Sequence, residues 1–293
     1  MQSLKTCEVS VIVTCYNYGR FLRRALDSVL RQSFSDWEVI IVDDGSSDET
    51  REVLHKFMES HDQVRISTLH VRNGGLAKAR NLGIALARGT YVTCLDADDS
   101  FAAHALDDMV AALRENESMA VVRPGMSIFE EVEHERRLLQ VDIMPEYSLS
   151  DLAVENLAPY CSMFRWEAWQ EVGGYDETMP AYEDWDFWLS LGERGHTMGR
   201  TFRSSLCYRL NRDGLLRSSR GRDLELRARI VRNHPQVYDE AAQDLAAMVL
   251  DGARVDELLT QDPHGIFKGS RRARELTSPA PRRRSTPSRN DHR

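Results

Sequence analysis

The chain has no apolar stretch approaching the roughly 20 residues that a helical bilayer crossing needs, so it offers no candidate for a membrane-spanning helix. Its N-terminal run MQSLKTCEVSVIVTCYNYG lacks a basic region followed by a long apolar block and a small-residue cleavage site, so no secretory signal is expected and the cytoplasm is the expected compartment. Cysteine is scarce: Cys7, Cys15, Cys94, Cys161 and Cys207 are odd in number, far apart and never in a Cys-x-x-Cys pair. That excludes a disulfide scaffold and leaves five reduced core residues as the expectation. The nine histidines form no His-x-x-x-His or Cys/His cluster, so a zinc site is not expected. A Gly-x-Ser-x-Gly elbow, a Gly-x-Gly-x-x-Gly fingerprint after the first strand and a Walker-type loop are all missing. Serine-hydrolase, ordinary dinucleotide and P-loop chemistry therefore have no support.

Positive charge is also in short supply, except at one end. The formal net charge is -8, which argues against a general nucleic-acid binder. Residues 269–293 carry eight arginines against Glu275 and Asp291, three prolines and almost no large apolar side chains. Such a segment cannot bury enough surface to offset the entropy of ordering, so a disordered tail is expected. Its arginines would suit peripheral contact with the anionic inner face of a membrane, although a solvated tail without a specific partner is the simpler reading.

What is present is alternation. EVSVIVTCY, WEVIIVDDGS, VRISTLHV and TYVTCLDA read as strands, with MAVVRPG as a fifth. The helices between them carry apolar residues at helical spacing, such as Phe21, Leu22, Ala25, Val29 and Leu30, or Leu76, Ala79, Leu82, Gly83 and Leu86. Strands separated by helices of this length imply right-handed crossovers and an α/β fold: a Rossmann-like, mostly parallel sheet with helices on both faces. After Gly125 the alternation stops. MSIFEEVEHERRLLQVDI reads as an antiparallel excursion, SLSDLAVENL as a short helix, and residues 159–196 as strand, helix, glycine turn and acid-led helix. Residues 1–219 are expected to form the main domain, with a nucleotide-binding half over about 8–124 and a smaller acceptor-side half over 125–219. Residues 220–268 read as a helical extension that Pro235 should interrupt.

In open sheets of this kind ligands bind beyond the carboxyl ends of the strands, which puts the acidic loops VDDGSSD and LDADD and the loop TCYNYG on one edge. The loop after the fourth strand, LDADDS, places Asp96, Asp98 and Asp99 within four positions. Left alone they would raise one another's pKa values. Either Asp99 or Ser100 caps the following helix, or the acids hold a divalent cation such as magnesium or manganese. The loop VDDGSSDET fits a capping box from Ser46 to Glu49, which leaves Asp43 and Asp44 to accept hydrogen bonds from a base or a ribose. RNGGLAKARNLG opens a helix on a Gly-Gly turn with Lys78 and Arg80 nearby, either a phosphate site or a plain amphipathic helix. MPAYEDWDFW puts Glu183, Asp184 and Asp186 in a first helical turn, where acids stabilise the helix and one could also deprotonate an alcohol.

Taken in order, SVIVTCYN, VDDGSSD, NGGLAKARNLGI, TYVTCLDADD, GGYDE and YEDWDFWLSL resemble glycosyltransferase family 2, over about residues 8 to 212. The resemblance implies a GT-A fold and a metal-dependent, inverting enzyme of the hexosyltransferase type. Such an enzyme moves a sugar from a nucleotide sugar, UDP-sugar favoured, to a hydroxyl of a saccharide, lipid-linked or other acceptor, as in polysaccharide biosynthesis. By position, Asp43 would hold the base, with Asp44 as its neighbour, and Thr14, Tyr16 and Asn17 would line the nucleotide pocket. Asp96 would lie near the ribose and Asp98 on a manganese or magnesium ion, while Lys78 and Arg80 fall on the donor side. Asp184 matches the general base, with Glu183, Gly173 and Gly174 on the acceptor side. Many relatives have a histidine after the Tyr-Arg pair, where this chain has Asn211, which leaves a third protein contact to the metal in question. Two other readings stay open: a sugar-phosphate nucleotidyltransferase on a similar sheet, and a non-catalytic module that binds nucleotide sugars.

Overall fold

The computed structural model describes residues 6–61, 65–132, 135–143, 145–210 and 220–252. Asn211, the 253–268 part of the expected helical extension and the arginine-rich tail lie outside the described residues. Four strands build the first half: β1 (Cys7–Cys15), β2 (Trp37–Asp43), β3 (Ile66–His70) and β4 (Gly89–Asp96), all parallel in the order β3-β2-β1-β4. Between them run α1 (Gly19–Leu30), α2 (Thr50–Ser60) and α3 (Leu76–Ala85). All of β2, and β1 from Val9 on, is buried, which is why these strands read as continuous apolar runs rather than alternating ones. On one face α3 comes so close that a Cβ on Gly83 would stand 2.4 Å from Ile12 Cγ2. The register sets Thr14 beside Asp96 and Cys15 beside Asp43, so the carboxyl ends of three strands finish level.

The second half comprises β5 (Ser100–Phe101), α4 (Ala105–Glu115), β6 (Met119–Val132), β7 (Glu135–Asp142), α5 (Leu149–Leu152), β8 (Met163–Arg165), α6 (Trp166–Val172), α7 (Glu183–Glu193) and β9 (Thr197–Arg209). A 3-10 turn (Arg220–Arg222) leads into α8 (Asp223–Asn233) and α9 (Glu240–Leu250). One sheet runs β3-β2-β1-β4-β8-β6-β9-β5, with β7 paired to β6. The expected antiparallel excursion is the β6–β7 hairpin, and the break at Pro235 falls between α8 and α9. Two features differ from the sequence-based expectation. Strand β8 inserts antiparallel between β4 and β6, and β6 runs unbroken through the expected 124/125 boundary, so both halves share one sheet.

Both capping readings are corrected. Ser100 and Phe101 pair with β9 instead of opening a helix, and α4 starts only at Ala105 with His104 in the cap position. Helix α2 starts at Thr50, where the Asp48 side chain accepts hydrogen bonds from the Thr50 amide and hydroxyl, so Ser46 does not cap it. At Ser100 a distant strand displaced the local motif, and at Ser46 the hydroxyl accepts from the Asn17 amide at 2.9 Å while Asp48 bonds the helix start. Phe164 of β8 packs against Phe187 and Trp188 of α7 at ring distances of 5.2 and 5.9 Å. That contact seats α7 over the strand next to β4 and brings its first turn toward the aspartates of the fourth loop. Among the described residues no helix is long and apolar enough to cross a membrane.

Candidate active site

Beyond the carboxyl edge of the sheet opens a cavity of about 770 Å³. Its wall draws on the ends of β1 and β4, the loop before α3, the segment after α5, the start of α7, the end of β9 and α8. Of the residues expected from sequence, Thr14, Tyr16, Asp44, Arg80, Asp96, Asp98, Glu183 and Asp184 meet there. Asn17, Asp43, Lys78, Gly173 and Gly174 are not part of the wall.

The aspartate knot separates into three roles. Asp96 accepts hydrogen bonds from Thr14 Oγ1 at 3.1 Å and from Arg80 Nη2 at 3.1 Å. Asp99 is fully buried and accepts from Tyr160 Oη at 2.6 Å and the Arg209 amide at 2.7 Å. Burial, and then the charge of Asp98, push its pKa well above the usual carboxylate range. Asp98 is left facing the cavity, with its pKa pushed up to about 6 by burial and by Asp96, against the opposing pull of Arg209 and Arg24.

Arg80 does not serve as a free phosphate ligand. It is 1% exposed and joins Asp96 to Glu183, whose Oε1 lies 2.6 Å from Arg80 Nη1. The guanidinium sits 5.0 Å from the Tyr160 ring centroid and 5.7 Å from that of Tyr175. This is how a buried cation is compensated: two carboxylates and two aromatic faces. Burial pushes Glu183 up to about 7 although Arg80 pulls the other way. Asp184, next in sequence, is only partly covered; Asn156 Nδ2 donates to its Oδ2 at 3.0 Å and the Trp185 amide to its Oδ1 at 2.8 Å. Burial raises its pKa as well, which suits a group that must take up a proton.

The paired acids of the second loop hold the backbone. Asp44 accepts from the Gly74 amide at 2.8 Å, the Gly75 amide at 3.0 Å and Asn73 Nδ2 at 3.2 Å, so it anchors the turn that opens α3. Asp43 is wholly buried and accepts from the Ser46 amide at 2.9 Å and His70 Nδ1 at 3.0 Å, with Arg51 at 3.4 Å. Burial works to raise its pKa, but the hydrogen bonds from Ser46 and His70 outweigh it and hold the group ionised. Asn17 takes a positive φ of 57° and ties its loop to the second one through the Ser47 amide at 2.8 Å. Lys78 lays its stem over Gly74. Gly173 and Gly174 form a left-handed turn after α6, at φ 84° and 86°, and a Cβ on Gly174 would stand 2.7 Å from Asn81 Oδ1. Their role is that turn, away from the cavity wall.

Sequence reasoning passed over Asn156, Tyr160, Tyr208, Arg209 and Arg227, all of which line the cavity. No motif marks Asn156, Tyr160 or Arg227; Tyr208 and Arg209 form the Tyr-Arg pair that precedes Asn211, and that pair serves in the sequence only as a landmark.

Fold and cavity define a class: an α/β protein with an acid-lined ligand crevice at the carboxyl edge of a Rossmann-like sheet. Family comparison narrows it, because glycosyl transferase family 2 matches residues 10–173, more than half of the chain. The chain belongs to glycosyltransferase family 2. It is 31% identical over 188 residues to a chondroitin synthase of Pasteurella multocida, a match that covers 64% of this chain and 19% of the relative. It is 36% identical over 115 residues to glycosyltransferase GlyG of Streptococcus pneumoniae, covering 39% of this chain and 38% of the relative. The chain thus spans well under two thirds of the length of these relatives. Among solved structures, S. aureus TarS 1-349 in complex with UDP-GlcNAc superposes with a TM-score of 0.64 at 21% identity, over 87% of this chain and 76% of that one. Mannosyltransferase PcManGT of Pyrobaculum calidifontis, in complex with GDP-Man and Mn2+, superposes with a TM-score of 0.56 at 18% identity, over 80% of this chain and 65% of that one. Both share the GT-A fold.

Proposed function

We propose that this chain transfers a sugar from a nucleoside diphosphate sugar, a UDP-sugar by preference, to a hydroxyl acceptor with inversion at the anomeric carbon. The observation that carries the reading is the meeting of Asp96, Asp98, Glu183 and Asp184 on one cavity, from segments about ninety residues apart. TarS bound to UDP-GlcNAc and PcManGT bound to GDP-Man and Mn2+ lend support from the same fold.

A divalent cation fits the donor side. Asp98 offers a hard oxygen donor on the cavity wall, its pKa raised by burial first and then by the neighbouring charge of Asp96. Among the described residues no cluster of three or more His, Cys, Asp or Glu side chains forms a ready-made cage. A magnesium or manganese ion held by Asp98 would therefore have to take most of its coordination from substrate phosphates and water. Asp98 would hold the ion, and a bound ion would supply charge stabilisation to the departing diphosphate.

The protein's own groups do the rest. Asp96, oriented by Thr14 and Arg80, presents its carboxylate on the ribose side, and Arg209 adds positive charge where the diphosphate would develop negative charge. Asp184 takes the acceptor proton, held to one orientation by Asn156 and the Trp185 amide. Displacement in line from the opposite face of the sugar then inverts the centre in one step, with no covalent enzyme intermediate.

The acceptor, whether saccharide or lipid-linked, and a peripheral membrane contact through residues 269–293 belong to the same proposal. The test is incubation with UDP-glucose, UDP-galactose, UDP-GlcNAc, UDP-glucuronate and GDP-mannose plus manganese, following nucleoside diphosphate release. Release from at least one donor is expected. Pyrophosphate release from a nucleoside triphosphate and a sugar phosphate would point to a nucleotidyltransferase instead, and binding without any turnover to a non-catalytic module.

A further inference from the structure

Tyr182 stands in the left-handed region, at φ 62° and ψ 19°, and is the residue immediately before Glu183 and Asp184. A tyrosine stays there only when surrounding contacts over-determine its backbone. Within its own helix the Asp186 amide donates to the Tyr182 carbonyl at 3.0 Å and the Trp185 ring centroid lies 5.7 Å from that of Tyr182; the C-terminal extension adds further contacts. Tyr182 Oη donates to Asp223 Oδ1 at 2.7 Å, and Asp223 is paired with Arg227 Nε at 3.0 Å, one turn further along α8. Arg227 Nη1 donates to the Val154 carbonyl at 2.9 Å, and its guanidinium lies 5.0 Å from the Trp185 ring centroid. Two residues after Val154, Asn156 donates to Asp184 Oδ2 at 3.0 Å. The path from Asp184 through Asn156, Val154, Arg227, Asp223 and Tyr182 therefore returns to Asp184 through the backbone. The far end of α8 is pinned to α7 separately, by Asn233 Nδ2 at 2.8 Å and His234 Nε2 at 3.2 Å from Asp186 Oδ1.

We propose that Asp223 and Arg227 of α8 are positioning residues for Asp184. Their clamp on Tyr182 and on the 154–156 segment sets the backbone turn that aims the Asp184 carboxylate into the cavity. The proposal rests on the reading of Asp184 as the base that takes the acceptor proton. It ties the C-terminal helix to the site, because α8 holds both the Tyr182 hydroxyl and the Val154 carbonyl.

The experiment uses the full chain and the variants Tyr182→Phe, Asp223→Ala and Asp184→Asn. Two readouts are taken: kcat and KM on whichever donor of the panel the parent turns over, and hydrogen exchange of the Trp185 amide, which reports Asp184 orientation without any substrate. Tyr182→Phe and Asp223→Ala should lower kcat by about tenfold or more, with donor KM held within about twofold. The Trp185 amide should exchange several-fold faster in both. Tyr182→Phe removes one hydroxyl and keeps the ring, so it decides the matter even where Asp223→Ala fails to fold. A parent kcat and parent exchange rate in Tyr182→Phe overturn the clamp, as does a donor KM that rises in step with the fall in kcat, which is general loosening. Asp184→Asn separates the two claims. If it transfers at the parent rate, the base reading has failed; if it is inactive while Tyr182→Phe keeps the parent kcat and the parent exchange rate, only the clamp has failed.

Discussion

Arg80 Nη1 lies 2.6 Å from Glu183 Oε1, although 103 residues separate the two in the chain. The same guanidinium reaches Asp96 at 3.1 Å, so one buried cation ties the strand that carries the aspartate loop to the helix that carries Asp184. The Asp96 and Glu183 sides of the cavity are thereby bridged by a single buried side chain.

Arg80→Met should cost about 3 to 5 kcal/mol of unfolding free energy, because it leaves Glu183 buried without its counter-charge. The double variant Arg80→Met with Glu183→Gln should regain part of that loss. Urea unfolding of the three proteins checks it; a double variant no more stable than the single one would show that the pair is not coupled.

Asp184→Asn should keep nucleotide binding and lower transfer by about two to four orders of magnitude, the usual worth of a general base. Calorimetric titration with UDP alongside the transfer assay separates binding from chemistry. Equal losses in both would assign Asp184 to the donor site.

Asp98→Ala should fold normally and lose the manganese-dependent part of UDP affinity, since its carboxylate is the cavity acid least compensated by protein partners. Titration with and without manganese, and after chelator treatment of the parent, reads this directly. A manganese effect unchanged in the variant removes Asp98 from the metal.

Tyr160→Phe should destabilise by about 1 to 3 kcal/mol, because the buried Asp99 loses a hydroxyl donor while the ring over Arg80 remains. Thermal or urea denaturation measures the cost. Parent stability would mean that Asp99 is satisfied without Tyr160.

Stability should fall as pH rises toward about 9. His234 is buried between Glu193 at 2.8 Å and Asp186 at 3.2 Å, and its pKa is pushed up to about 9; burial opposes the shift, and the hydrogen bonds to Asp186 and Glu193 outweigh it. A group whose folded pKa is raised contributes its full stability below its unfolded value, near 6.5, and loses it as pH climbs through the folded value. The shift corresponds to about 3 kcal/mol at most. His234→Gln should flatten the stability profile between these two pH values, and a slope equal to the parent's would place the titration elsewhere.

The first four strands and their helices were legible because their cause is local. A strand covered on both faces is mostly apolar, as β1 and β2 are apart from Glu8, Ser10, Thr14, Glu38 and Asp43, and a helix on a sheet must repeat its apolar residues every three to four positions. The shared address of the acidic loops followed from topology alone. The individual acids were less legible. Asp99 and Ser100 resembled a helix cap, yet Tyr160, the Arg209 amide and strand β9 claimed them; Arg80 resembled a phosphate ligand, yet two carboxylates enclosed it.

By itself the sequence determined the alternating α/β architecture, the edge on which a ligand sits and the family, since periodicity, turn chemistry and ordered motifs are properties of neighbouring residues. Tertiary structure alone decided which acids face the cavity, that β8 enters between β4 and β6, and that α8 closes on Tyr182 and Asp184. Those outcomes depend on which buried charge finds its partner a hundred residues away. Such pairings are selected by the cost of leaving a charge or donor unmatched in the interior, and no local pattern encodes that cost.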